Sequence, residues 1–260
     1  MAAELRVLVT GSADGIGRET AQTLIRSGHR VVVHARNGER AGDARAAIPG
    51  AAAVLVGDLA SLDGTRALAE AARRHAPYDA VVHNAGVGGS RRRAVTVDGL
   101  ELIFQVNVLA PYLLTALMDR PARLVYLSSG LEAQGAVDLD DLQHQRGPWN
   151  GEQAYADSKL CDVLLAFAVA RRWPEVSANA VDPGWIRTRM GGSGAPGTLP
   201  QGAETPVWLA TSDDPEATVS GRYFRRRREL RANPLAYDEA LQEDLLRRCA
   251  ALSGVTFPAS

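Results

Sequence analysis

Short runs of apolar, mostly branched residues recur along this chain, and longer segments with a helical pattern fill most of the gaps between them. The runs fall at residues 5–10, 30–34, 53–57, 80–83, 123–127 and 177–181, with a weaker last one at 221–224. Strands apolar at nearly every position suit a parallel sheet buried on both faces. Parallel neighbours need long crossovers. The helical patterns at 15–27, 61–74, 99–118, 153–173, 203–211 and 235–251 provide them. The alternation predicts an α/β, doubly wound fold with a mostly parallel sheet of about seven strands flanked by helices. No repeat or linker divides the chain, so a single domain over residues 1–260 is expected.

Composition narrows the function. A net charge of −1 offers no general attraction for nucleic acid or an acidic membrane surface. Two arginine runs, Arg91-Arg92-Arg93 and Arg225-Arg226-Arg227-Arg228, read as solvated surface. Cys161 and Cys249 lie far apart and the five histidines have no ligand spacing, so neither a disulfide nor a metal site is expected. The stretch Met1-Ala2-Ala3-Glu4-Leu5-Arg6 has no apolar signal region. No run of about 18 uncharged apolar residues marks a membrane span. These features together predict a cytoplasmic location.

The first strand runs into Thr10-Gly11-Ser12-Ala13-Asp14-Gly15-Ile16-Gly17, and a helix follows. Glycines here permit a tight turn and close approach of backbone to a pyrophosphate, and the helix N-terminus favours an anion. The strand–turn–helix context predicts nucleotide binding by a Rossmann-type fold. Arg36 stands 19 residues after the last glycine, at the end of the second strand, where an acidic residue would select NAD. A guanidinium there suits a 2′-phosphate instead, so NADP(H) is expected over NAD(H), with the Asp14 carboxylate opposing that preference.

Tyr155 and Lys159 are four residues apart in Ala154-Tyr155-Ala156-Asp157-Ser158-Lys159. On a helix they share one face. A cation beside a phenol favours the phenolate, which makes a proton donor and acceptor for neutral conditions.

Taken in order, these segments resemble the short-chain dehydrogenase/reductase family, and most closely its retinol dehydrogenase-like and WW-domain oxidoreductase-like branch. The glycine turn is similar to the family's TGxxxGxG, Asn84-Ala85-Gly86 to its NAG, Tyr155 and Lys159 to its YxxxK, and Pro183-Gly184-Trp185-Ile186-Arg187-Thr188 to its PGxxxT. The resemblance implies a cofactor site built from Gly11, Ser12, Asp14, Gly15, Ile16, Gly17, Arg36, Asp58, Leu59, Asn84, Ala85, Gly86, Tyr155, Lys159, Pro183, Gly184, Ile186 and Thr188. It also implies a catalytic set of Asn107, Ser129, Tyr155 and Lys159. Ser129 is preferred by position over Ser128.

The reaction so implied is hydride transfer between a nicotinamide cofactor and a carbonyl or alcohol carbon. Tyr155 serves as general acid/base, Ser129 positions the substrate oxygen, and Lys159 supports the tyrosine and the nicotinamide ribose. Asn107 orders a water beside Lys159. The alternative is a non-catalytic NADP(H)-binding sensor on the same fold.

Ser129 and Tyr155 are 26 residues apart, about twice the usual family gap. The extra length predicts that a segment at about 130–153 covers the active site. The glycine-rich segment within 189–203 is expected to serve as a mobile lid. Their apolar content leans toward a lipophilic small-molecule substrate. Homo-oligomers are possible by resemblance, through the helices that carry Asn107 and Tyr155.

Overall fold

The computed structural model describes residues 3–259; Met1, Ala2 and Ser260, and with them the start of the N-terminal stretch read above, lie outside the described residues. Eight strands form one sheet in the order β3-β2-β1-β4-β5-β6-β7-β8. They are β1 (Arg6–Val9), β2 (Arg30–Ala35), β3 (Ala53–Val56), β4 (Ala80–His83), β5 (Arg123–Leu127), β6 (Ser177–Val181), β7 (Tyr223–Arg225) and β8 (Arg228–Leu230). Every pairing is parallel except β7 with β8. The helices are α1 (Gly15–Arg26), α2 (Gly38–Ala47), α3 (Leu62–Arg73), α4 (Leu102–Phe104), α5 (Ala110–Leu117), α6 (Gly151–Arg172), α7 (Leu199–Thr211) and α8 (Glu239–Ser253). A π-helical turn, Gln105–Leu109, joins α4 to α5.

Alternation along the strands divides the core in two. Leu8, Val32 and Tyr126 face a layer built on α3, α5, α6 and α8. Val7, Val9, Val31 and Val33 face the other side, with Leu24 of α1 and Trp208 of α7. Five of the six strongly apolar runs thus sit centrally with both faces covered, as their unbroken apolar pattern requires, while β3 is an edge strand with Val56 exposed.

The eighth strand was not anticipated. Arg225-Arg226-Arg227-Arg228 is exposed, as expected of a surface run, and it forms a hairpin: Arg225 pairs with Arg228 across a two-residue turn. Arg226 and Arg227 have φ of 51° and 57°. That left-handed pair matches the twist of the flanking strands, although Asn-Gly is the usual choice. Arg227 also pairs with Glu204 and its amide donates to Thr205 Oγ1, which tie the turn to α7.

α6 is buried on nearly all sides because α8 covers the face turned away from the sheet. Arg171 and Arg172 both pair with Glu243 of α8. Beyond α8, Phe257 stacks on Trp173, and Tyr112 of α5 donates to the Val255 carbonyl.

Candidate active site

The sheet order places β1 between β2 and β4, so the chain reverses direction across the sheet at the C-terminal end of β1. Ligands of open α/β sheets bind in the crevice at such a point. A cavity of about 630 Å³ opens there. Its wall gathers residues that follow six different strands: Gly11 and Ala13 to Gly17 after β1, Arg36 after β2, Asp58 and Leu59 after β3, Asn84 to Gly86 after β4, Ser128 after β5, and Pro183 and Thr188 after β6. Tyr155 and Lys159 enter it from α6.

The glycine turn is braced from both neighbours. Asn84 Nδ2 donates to the carbonyls of Thr10 and Gly11 at 2.9 and 3.1 Å. The Gly11 amide donates to His34 Nδ1 at 3.0 Å, while His34 Nε2 lies 2.8 Å from the Gly57 carbonyl. That pair of contacts fixes a neutral ring with its proton on Nε2. Burial holds the His34 pKa below the ordinary histidine value, against the pull of the Gly57 carbonyl and Asp58. Gly17 is required by close approach, since a Cβ there would lie 2.3 Å from Asn84 Nδ2 and 2.6 Å from the Gly11 carbonyl. Ser12 does not face the cavity. It is buried, donates to the Val9 carbonyl and accepts from the His34 amide, which stitches the turn to β2.

Asp14 caps α1 by accepting from the Gly15 amide at 2.7 Å. Its carboxylate also faces Arg40 at 3.3 Å and Arg189 at 3.7 Å. The negative charge expected to oppose a phosphate is therefore met by two guanidinium groups. Arg36, Arg40 and Arg189 all stand in the cavity wall. Arg40 and Arg189 escaped the sequence reading. Arg40 comes four residues after Arg36, in the first turn of α2, which brings it back toward the glycine turn. Asp58 closes its own turn by accepting from the Ala60 amide.

Tyr155 is half-buried, and Nζ of Lys159 lies 5.7 Å from the centre of its ring. Lys159 is buried, and its ammonium donates to the Leu127 carbonyl at 2.8 Å and to Asp162 Oδ2 at 2.7 Å. It is the sole lysine of the chain. Burial works against this cation, yet Asp162 and Tyr155 lift its pKa above the ordinary lysine value. Burial in turn pushes the Asp162 carboxyl up to about 6, and Lys159 pulls it back.

Asn107 lies in the π-helical turn, a distortion frequent at functional sites. Its side chain is fully engaged: Oδ1 accepts from the Val87 amide, and Nδ2 donates to the Val87 carbonyl and to Ser158 Oγ. It stands behind Gly86, where a Cβ would meet Asn107 Oδ1 at 3.4 Å and Lys159 Nζ at 3.6 Å. Asn107 thus lies near Lys159 but outside the cavity wall.

The two serines point opposite ways. Ser128 donates to the Lys159 carbonyl at 2.7 Å and is buried. Ser129 is half-buried and caps the 3-10 turn Gly130–Gln134 by accepting from the Leu131 amide. Ser128, not Ser129, belongs to the cavity wall.

Gly184 and Ile186 also lie outside that wall. Gly184 shapes the bend after Pro183 and donates to Asp182 Oδ1. Ile186 is buried and bridges to Gly197. That contact corrects the expectation of a loose glycine-rich segment: Gly197 exchanges hydrogen bonds with Trp185 and Arg187, and a Cβ on it would come within 2.5 Å of Ile186 Cδ1. Its glycine is there for packing. Arg189 and Met190 of this segment do reach the cavity.

The 130–153 segment departs from expectation too, since none of its residues lines the large cavity. It is strapped to the chain after β4 instead. Trp149 Nε1 donates to the Ser90 carbonyl, Arg93 Nε to the Gln143 carbonyl, and the Glu101 amide to Gln143 Oε1. His144 pairs with Asp157 of α6 at 3.2 Å. These ties lay it over a smaller cavity of about 190 Å³ on the flank of α6.

Among the described residues there is no group of three or more metal-binding side chains, and no helix is long and apolar enough to cross a membrane. Both cysteines are free and buried.

An open parallel sheet with a glycine turn and a helix N-terminus at its switch point is the architecture of a dinucleotide-binding protein. Comparison narrows this: the pattern of the short chain dehydrogenase family matches residues 6–138. An uncharacterized oxidoreductase from Emericella nidulans is 43% identical over 98% of this chain and 99% of its own length. A Streptomyces protein named as a candidate daunorubicin C-13 ketoreductase is 38% identical, covering 96% of this chain and 93% of its own. Human retinol dehydrogenase 14 is 33% identical over 92% of this chain and 83% of its own, in line with the branch resemblance. The solved structure of a candidate short chain dehydrogenase from Escherichia coli, complexed with NADPH, aligns with a TM-score of 0.65 at 26% identity, covering 87% of this chain and 98% of that one. The chain belongs to the short-chain dehydrogenase/reductase family and is an oxidoreductase.

Proposed function

We propose that this enzyme reduces a bulky, lipophilic ketone or aldehyde with NADPH, with Tyr155 as the proton donor. The observation that carries the reading is one continuous cavity with two unlike ends. Arg36 and Arg40 stand beside the glycine turn, and Tyr155 and Lys159 stand beyond β5. The wall fits a dinucleotide phosphate: glycine-lined backbone, the first turn of a 12-residue helix, and three arginines. When bound, a nicotinamide supplies the hydride; the protein's task is orientation and proton handling.

In the reductive direction the Tyr155 hydroxyl gives its proton to the substrate oxygen. Lys159 stands beside the ring as a cation, its Nζ 5.7 Å from the ring centre. By resemblance Ser129, next to the cavity-lining Ser128, is the group assigned to hold the substrate oxygen. Asn107 fixes Val87 and Ser158, and so sets the backbone against which Lys159 lies. Met190 is exposed and lines the cavity, adding an apolar surface to its wall. The relative named for daunorubicin C-13 ketoreduction agrees with a bulky ketone.

The test is dinucleotide oxidation in the presence of large apolar ketones. NADPH is expected to support turnover at a far lower KM than NADH. Arg36→Ala is expected to raise KM for NADPH by about tenfold or more, as loss of a charge-assisted phosphate contact predicts, and to leave KM for NADH nearly unchanged. Equal use of NADH and NADPH by the wild type would defeat the proposed preference.

A further inference from the structure

Lys159 has a partner that the proposed reaction does not use. Asp162 lies three residues on, so a helix turns it toward the same side, and its carboxylate meets the ammonium at 2.7 Å. Only 6% of the lysine side chain and 4% of the aspartate side chain are exposed. A lone ion at either position would be costly; the two are tolerable only together. The ammonium has three protons, and the Leu127 carbonyl and Asp162 take two of them.

We infer that Asp162 is a positioning residue: its buried carboxylate pins the sole lysine against β5, keeps it cationic beside Tyr155, and leaves one ammonium proton to face the cleft. The inference rests on the proposed reading of Tyr155 and Lys159 as the proton-handling pair. The surroundings offer no second counter-charge among the described residues. From α6, Tyr155 acts on the lysine and the thiol of Cys161 stays neutral through burial. From β5, Tyr126 faces Asp162, and burial first and Asp162 last keep its phenol protonated. Tyr126 bonds Thr115 of α5, which bonds His83 of β4, a ring that burial keeps neutral. The π-helical turn presents uncharged Asn107.

A single lysine makes the test direct. Protein made with 13C-labelled lysine gives one side-chain resonance to titrate, with no assignment and no turnover needed. In the wild type that resonance is expected to titrate above the ordinary lysine value. In Asp162→Asn the negative charge is gone while a carbonyl acceptor remains. Its titration is expected to fall by one pH unit or more, and the alkaline limb of kcat for alcohol oxidation should move down with it. Cofactor binding should change little. Asp162→Glu, which restores the charge, should return both toward the wild type. A lysine titration in Asp162→Asn that superimposes on the wild type overturns the inference, whatever the change in rate. Should Asp162→Asn fail to fold, the wild-type titration decides alone: a value below the ordinary one overturns it. A lysine that shifts as expected in a protein that reduces no carbonyl instead defeats the reading of the pair as catalytic, and keeps Asp162 as the anchor of Lys159.

Discussion

At the scale of single residues, the cleft is organised by groups that brace others. Asn84 and His34 hold the glycine turn, Asn107 holds Val87 and Ser158, and Asp162 holds Lys159. Tyr155 is the exception, with its half-buried ring in the cavity wall. Tyr155→Phe is expected to lower kcat by about 10²-fold or more, in the range for loss of a general acid, with NADPH affinity kept. Fluorescence titration with NADPH alongside steady-state rates checks both halves. The two neutral histidines set a pH dependence of stability. Burial depresses the pKa of His34, and that of His83 to about 3. Such rings bind protons more readily unfolded than folded. Their contribution is thus complete above about pH 6.5 and is lost as pH falls below it, at up to about 1.4 kcal/mol per unit for each ring that stays neutral when folded. Urea midpoints measured from pH 7.5 to 4.5 should fall, and His83→Asn should flatten the fall.

At the scale of elements, what was legible in the sequence had a periodic or motif signature. β4, β5 and β6 lie where their apolar runs stand, and α1 ends within a residue of its expected stop before Gly28. β8 has three exposed residues and no apolar face, so nothing in Arg228-Glu229-Leu230 marks it as a strand until β7 pairs with it. The π-helical turn is equally silent, since nothing in Gln105-Val106-Asn107-Val108-Leu109 sets it apart from ordinary helix. Arg40 and Asp162 were within reach: each lies three or four residues from a residue already singled out. The separation of roles between Ser128 and Ser129 was not, since adjacent serines in extended chain differ only in the face they present. The β7–β8 turn gives a prediction at this scale. Arg226→Asn with Arg227→Gly relieves two left-handed arginines and should raise stability by about 1 kcal/mol. A denaturant midpoint that rises at constant slope would show it.

At the scale of the whole molecule, α8 changes the expectation for assembly. By resemblance, pairing is expected through the helices that carry Asn107 and Tyr155; here α8 and the chain to Phe257 pack against α5 and α6. A second copy cannot lay its own α6 there without displacing α8 and breaking the clasp of Glu243 on Arg171 and Arg172. Light scattering is therefore expected to give the mass of a single chain, about 27.7 kDa. Truncation before Glu239 should yield a larger or aggregating species as the apolar outer face of α6 is uncovered. A stable dimer of the full chain would mean that pairing uses another surface.

The placement of Lys159 has a practical corollary for handling this enzyme. Basic character on its exterior comes from arginine, so an acylating reagent that seeks side-chain amines finds none on the folded surface. Uptake of such a label at that lysine then counts opening events of the core around α6. Mass spectrometry of one tryptic peptide would follow loss of the native cleft in real time, without substrate, dye or cofactor.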